Sequence, residues 1–346
     1  MAVCVIGAGV IGLPSAVLIQ RSIPGAKVTL ISDSFSPSTT GDISAGFIHP
    51  YAIDDTVGRE QLLNWMLQTQ EYIAELCKKD SEHYGAGLLS GFELFESPVE
   101  RKPYWDHMMY NFNYLSNDDL RKIGIPKEYI NGYFYTTYYL ECKSYLPAMM
   151  QEFRKNGGKV MQKHLTDLTD VPDDFDVIVN CTGLGAKKLI GDDSVKPVRG
   201  QVFKVHAPFL KHFYTTSGCN EAMQTTYILP GSKVVTVGGT VQDSDVTTVS
   251  QRDASWIWNQ AVKLVPSLKY ATILSENVGL RPSRPKVRLE VEVRQIRGQS
   301  KAVVHNYGHG GSGVTLHWGC AIDTVDLVKE CLKRNVQEIK QLKAKI

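Results

Sequence analysis

The segment Gly7-Ala8-Gly9-Val10-Ile11-Gly12 leaves few folds open to this chain. It directly follows an apolar run at residues 3–6 and opens a stretch, 10 to about 21, whose apolar positions recur at helical spacing. A break at Pro24-Gly25 precedes a second strand-like run, Lys27–Ser32, so the start of the chain reads as β-α-β. The first glycine allows a tight turn, the second lets a pyrophosphate approach the backbone, and the third packs helix against strand. The helix N-terminus adds positive potential. Asp33 follows Gly12 by 21 residues, at the end of the second strand, where a carboxylate accepts both ribose hydroxyls. This context makes the segment a dinucleotide site. An acidic Asp33 disfavours a 2′-phosphate, leaving NAD or FAD.

Composition narrows the partners. Thirty-eight Lys and Arg against 36 Asp and Glu give a formal charge of +2, without the clustered basicity that nucleic-acid binding requires. The apolar stretch 2–19 has no Lys or Arg before it and is interrupted by Gly7, Gly9, Gly12 and Pro14, so neither a signal peptide nor a membrane span is expected. Seven cysteines with no C-x-x-C spacing suggest neither a disulfide framework nor a zinc site, and fit a reducing compartment.

Further along, residues 56–80 carry helical spacing, and an aromatic, irregular region follows through Tyr104, Trp105, Tyr110, Phe112 and Tyr114, where a separate lobe begins. Residues 176–185 form an apolar run ending in small residues, as in a buried parallel strand near a ligand. Between 200 and 240 the pattern becomes period two, the mark of an antiparallel sheet; helix returns at 254–265, and a strand is expected near 287–293. The chain closes with an apolar run at 303–308, a glycine cluster and an amphipathic helix to about 345. The expected layout is a discontinuous nucleotide-binding domain from 1–50, 141–196 and 275–346, with a substrate lobe from 51–140 and 197–274.

Gly308, Gly310, Gly311 and Gly313 can build a second backbone cradle for an electron-rich ring or a phosphate; the alternative is a simple turn into the last helix. His305, His309 and His317 run through these glycines, and structural histidines are preferred to a metal site.

On these motifs the chain resembles the D-amino-acid oxidase family, flavoproteins that include D-aspartate oxidase. The resemblance rests on Gly7 to Gly12, Thr39-Thr-Gly-Asp-Ile-Ser-Ala-Gly46, Asn180-Cys-Thr-Gly183, Pro197-Val-Arg-Gly-Gln201, Gly279-Leu-Arg-Pro282 and the stretch from His305 to Ala321. It implies an α/β fold, a Rossmann-like FAD-binding domain with an inserted α+β substrate domain containing an antiparallel sheet. It places Gly7, Ala8, Gly9, Val10, Ile11, Gly12 and Asp33 on the ADP half of FAD, and Thr39 and Thr40 on its phosphates. Ala45, Gly46 and Phe47 border the isoalloxazine, Leu165 and Thr182 lie along the cofactor, and Gly279, Arg281, Gly310, Gly311, Ser312, Gly313, Val314 and Thr315 approach the flavin. One departure is Gly41, where the family often has a third Thr.

The resemblance further implies oxidative deamination of a D-amino acid to a 2-oxo acid, ammonia and hydrogen peroxide, with O2 as acceptor. Hydride would leave Cα for flavin N5 with no side chain as acid or base, so positioning dominates. Arg281 would grip the substrate carboxylate through parallel hydrogen bonds, Tyr227 would add a hydroxyl bond, and the Gly311 carbonyl would accept the amine. An NAD-linked dehydrogenase and a catalytically silent flavin binder are the competing classes. A homodimer is a further expected partner. Ala344-Lys345-Ile346 resembles the peroxisomal address Ser-Lys-Leu, so the import receptor and the peroxisome are expected, with the cytoplasm as alternative.

For substrate choice, an acidic side chain needs a second buried cation. D-aspartate oxidases usually carry it within Gly-Gly-Thr-x-Gln, where this chain has Val241. The lid expected at 215–226 holds no Lys or Arg and one acid, Glu221; Met223 and Tyr51 fit neutral substrates, whereas His49 could add charge when protonated. Neutral D-amino acids are therefore expected ahead of acidic ones.

Overall fold

The computed structural model describes residues 1–50, 58–217, 225–334 and 338. Its strands are β1 (Ala2–Ile6), β2 (Lys27–Ser32), β3 (Ala86–Phe95), β4 (Tyr110–Leu115), β5 (Asn131–Leu140), β6 (Lys159–Gln162), β7 (Val177–Asn180), β8 (Lys196–His206), β9 (His212–Ser217), β10 (Tyr227–Pro230), β11 (Val235–Gly238), β12 (Gln242–Asp243), β13 (Thr272–Ile296) and β14 (Gln299–His309). The helices are α1 (Gly12–Ser22), α2 (Thr40–Ile43), α3 (Arg59–Tyr84), α4 (Asn117–Lys122), α5 (Cys142–Lys155), α6 (Ala186–Ile190), α7 (Gln251–Leu264) and α8 (Gly313–Lys333).

The expected β-α-β start is present. β1 runs parallel to β2 and β7, and β14 and β6 extend this parallel set on either side. Val3, Cys4 and Val5 have no exposed surface, which is why this strand reads as a continuous apolar run rather than an alternation. Helix α1 begins at Gly12, two residues after the expected start. A Cβ on Gly12 would sit 1.9 Å from the Gly7 carbonyl oxygen, so only glycine lets the helix enter here.

The fourteen strands among the described residues form one mixed sheet, in which β8, β11, β10 and β9 supply the antiparallel ladder foreseen between 200 and 240. The strand expected at 287–293 is part of β13, which pairs β8 through its first half and β14 through its second. Pro282 and Pro285 fall where the ladder changes partner, a place that tolerates residues without an N–H. Residue 275, where the inserted lobe was expected to end, lies inside this strand.

The aromatic stretch expected to be irregular contains β4, and β5 follows it. Tyr133, Tyr135 and Tyr138 are buried, and most of β5 is covered on both faces, so no polar alternation marked it. No helix among the described residues is long and apolar enough to cross a membrane. The C-terminal helix is described as far as Lys333.

Candidate active site

Two cavities meet at the centre of the sheet. The larger, about 400 Å³, opens where the parallel strands end, lined by Gly7 to Ile11, Asp33, Thr39, Thr40 and the turns at 182–185 and 308–314. This is the crevice outside the carboxyl ends of parallel strands where α/β folds hold ligands. Asp33 lies at its rim with the His164 Nδ1 3.0 Å from its carboxylate. Burial opposes ionisation of Asp33, but hydrogen bonds from His164 and Ser34 outweigh it and hold the carboxyl below its usual range. Thr39 caps α2, its hydroxyl donating to Asp42 at 2.7 Å.

The smaller cavity, about 170 Å³, is lined by Ala45, Gly46, Phe47, His49, Glu93, Thr215, Thr225 and Leu229 among others. Ser44, Tyr227, Arg281, Gly311 and Val314 line both cavities, so they stand at the junction. Arg281 is fixed there by its Nη1, which donates to the carbonyls of Thr240 at 3.1 Å and Arg199 at 3.4 Å. Its guanidinium lies across Gly200, where a Cβ would come within 2.5 Å of Nη2. The Tyr227 ring lies in the same way on Gly238, where a Cβ would come within 2.3 Å of the ring. Both side chains therefore occupy space that glycines keep open.

Behind the smaller cavity, Tyr135 donates to Glu93 Oε2 at 3.2 Å, and His49 Nε2 is 3.8 Å from Glu93 Oε1. Burial pulls the His49 imidazole down to about 4, so at neutral pH it is uncharged and does not supply the cation considered for an acidic substrate.

Most expected cofactor residues line the larger cavity: Gly7, Ala8, Gly9, Val10, Ile11, Asp33, Thr39, Thr40, Leu165, Thr182, Gly279, Arg281, Gly310, Gly311, Gly313 and Val314. Ala45, Gly46 and Phe47 line the smaller one instead. Three lie apart. Gly12 packs against Gly7, Ser312 is buried in the turn before α8, and the Thr315 hydroxyl bonds the His49 backbone, accepting from its N–H at 3.2 Å and donating to its carbonyl at 2.9 Å. Tyr51, Glu221, Met223 and Ala344 to Ile346 lie outside the described residues. Val241 lines neither cavity. His305, His309 and His317 do not converge: His317 bonds the Val314 carbonyl and the Tyr145 hydroxyl, and His305 lies beside Glu292.

Sequence reading missed His164, Gly200 and Glu93. The signal for Glu93 was present, an acid between Phe92 and Leu94-Phe95; that for His164 was its neighbour Leu165 alone.

The family described as FAD dependent oxidoreductase matches residues 2–327. The chain belongs to this family. Human (Homo sapiens) D-aspartate oxidase is 38% identical over 333 residues, covering 95% of each chain. A D-amino acid oxidase of Dugesia ryukyuensis is 36% identical over 340 residues, covering 96% of this chain and 98% of its own. The structure of glycine oxidase from Bacillus cereus ATCC 14579 superposes with a TM-score of 0.76 at 18% identity, covering 98% and 97% of the two chains, and shares the fold.

The larger cavity fits FAD. His309 lines it, is 3% exposed, and leaves its Nε2 buried without a hydrogen-bond partner among the described residues, a cost that a polar cofactor atom would remove. A Cβ added at Gly9 meets nothing within 4 Å, so the backbone there borders open space.

Proposed function

We propose that this chain oxidises D-amino acids with neutral side chains to 2-oxo acids, ammonia and hydrogen peroxide, using O2. The observation that carries the reading is the place of Arg281 and Tyr227 at the junction between a cavity that fits FAD and a smaller one of substrate size. The names of its D-amino-acid and D-aspartate oxidase relatives support the reaction class.

Bound FAD supplies a two-electron acceptor that O2 reoxidises. The protein supplies position. With Nη1 held by two carbonyls, the remaining N–H groups of Arg281 are directed to a substrate carboxylate, and Tyr227 adds a hydroxyl bond to it. The Gly311 carbonyl accepts from the amine. Two substituents of Cα are thereby fixed, the side chain takes the smaller cavity, and only one enantiomer then directs its hydrogen at the cofactor. No side chain is assigned as acid or base.

Neutral side chains are favoured over acidic ones because no Lys or Arg besides Arg281 lines the smaller cavity among the described residues.

The purified protein is expected to be yellow, to bleach anaerobically with D-alanine or D-methionine, and to recover its colour in air. D-aspartate as the best substrate would overturn the neutral preference; absence of bleaching with every D-amino acid would overturn the activity. Arg281→Ala is expected to lower kcat/KM roughly a hundredfold or more, the scale of an unpaired buried charge. An unchanged value with D-alanine removes the clamp assignment.

A further inference from the structure

The smaller cavity carries a carboxyl group in its wall that neutral side chains do not use. Glu93 is 7% exposed on β3, among residues that otherwise build the apolar core. The strand pairing shows where it stands relative to the carboxylate clamp. Glu93 pairs with Thr215 of β9, and Thr215 pairs with Tyr227 of β10, so the three form one row on one face of the sheet. Two strand spacings of ~4.8 Å put the Glu93 backbone ~10 Å from that of Tyr227. A long side chain, with its α-carboxylate held at Tyr227 and Arg281, would extend along this row towards Glu93, whereas that of aspartate would fall short of it.

The far end holds acceptors: the Glu93 carboxyl, with the His49 ring 3.8 Å from it, and threonine hydroxyls that can accept as well as donate. Besides the Glu93 carboxylate, which receives the Tyr135 hydroxyl, Thr215 lines the cavity, and so does Thr225, whose hydroxyl oxygen is buried without a hydrogen-bond partner among the described residues. An ammonium has three donors and no acceptor, and a guanidinium has five donors, so either matches this set. A carboxylate end would meet Glu93 as a like charge, and an alkyl end would leave the Thr225 oxygen unsatisfied.

We propose that Glu93, with Thr215 and Thr225, forms a subsite for the cationic end of a D-amino-acid side chain. Among long side chains the enzyme then favours D-lysine and D-arginine over uncharged ones of the same length, while short neutral side chains, which do not reach Glu93, are oxidised as proposed above. This rests on the carboxylate clamp proposed above, and it makes Glu93 the residue that sets side-chain specificity. A charge-assisted bond replaces a neutral one at that end of the substrate.

The test compares kcat/KM from peroxide release for D-lysine against D-norleucine and for D-arginine against D-citrulline. Each pair differs in charge at nearly constant length. In the unaltered protein the charged member is expected to be favoured by roughly tenfold or more. Glu93→Gln is expected to bring both ratios to about one or below, and Glu93→Asp to restore part of the preference. A merely structural role for Glu93 lowers all rates together and leaves the ratios unchanged, which overturns the proposal. So does a ratio of one or less in the unaltered protein, a result that stands even if the variants fail to fold. If D-alanine is oxidised while the ratios fail, the carboxylate clamp survives; if no D-amino acid bleaches the flavin, both readings fall.

Discussion

Arg281 and Tyr227 owe their positions to what is missing beneath them. The guanidinium crosses Gly200 and the phenol ring lies on Gly238, at separations no Cβ tolerates. Gly200→Ala displaces the far end of a flexible side chain, so the protein is expected to fold and keep its flavin spectrum while kcat/KM falls roughly ten- to a hundredfold, as misplacement of a positioning group does. Titration of D-alanine at fixed enzyme checks this; an unchanged kcat/KM would show that Arg281 reaches its carboxylate by another path. Val241 was expected to report on acidic substrates. It adjoins Thr240, whose carbonyl anchors Arg281, but lines neither cavity, so it brings no charge or bulk to the smaller one.

The motif Pro197-Val-Arg-Gly-Gln201 acquires its meaning at the level of elements. Arg199, 3% exposed, donates to Asp253 at 2.9 Å, to Gln242 and Gln201 at 2.7 Å each, and to the carbonyls of Val246 and Thr248. It thereby ties β8 to the start of α7 and to the loop between β12 and α7, while its own carbonyl receives Arg281. Arg199→Met leaves Asp253 buried without its cation, and a loss of about 3 kcal/mol in urea unfolding is expected. A loss below about 1 kcal/mol would mean that solvent reaches this cluster. β13 is the second such element. It sets Arg281 beside Val198 of β8 in its first half and pairs β14 through its second, so one strand joins Arg281 to the strand leading into the glycine turn.

Across the described residues, the buried His305, His309 and His317 and the largely covered His49 link folding to pH. Burial pulls His49, His305 and His317 down to about 4 and His309 to about 3, below the ~6.5 of an unfolded histidine. Between these values the unfolded chain binds more protons than the native one. Their contribution is therefore complete above pH ~6.5 and is lost as pH falls towards about 4. The Tm is expected to drop steadily between pH 6.5 and 4.5; a flat profile would show that these rings are protonated in the native state.

The chain start was legible in its residues because a β-α-β unit is local: Gly7, Gly9, Gly12 and Asp33 act within some thirty residues of one another, and periodicity reports which faces are covered. The same holds for the alternating strands after Gly200. The doubly buried β5 and the partner-switching β13 were not, because alternation vanishes when both faces are covered and prolines at a change of partner look like breaks. Resemblance could put Arg281 and Tyr227 in a site, but their setting was a tertiary matter. Register brings Glu93 of β3 into one row with Thr215, Tyr227 and Gly238 of the consecutive strands β9, β10 and β11, more than a hundred residues later. A one-residue slip in any pairing would turn that side chain to the other face of the sheet, and no local pattern encodes which residue lies opposite which.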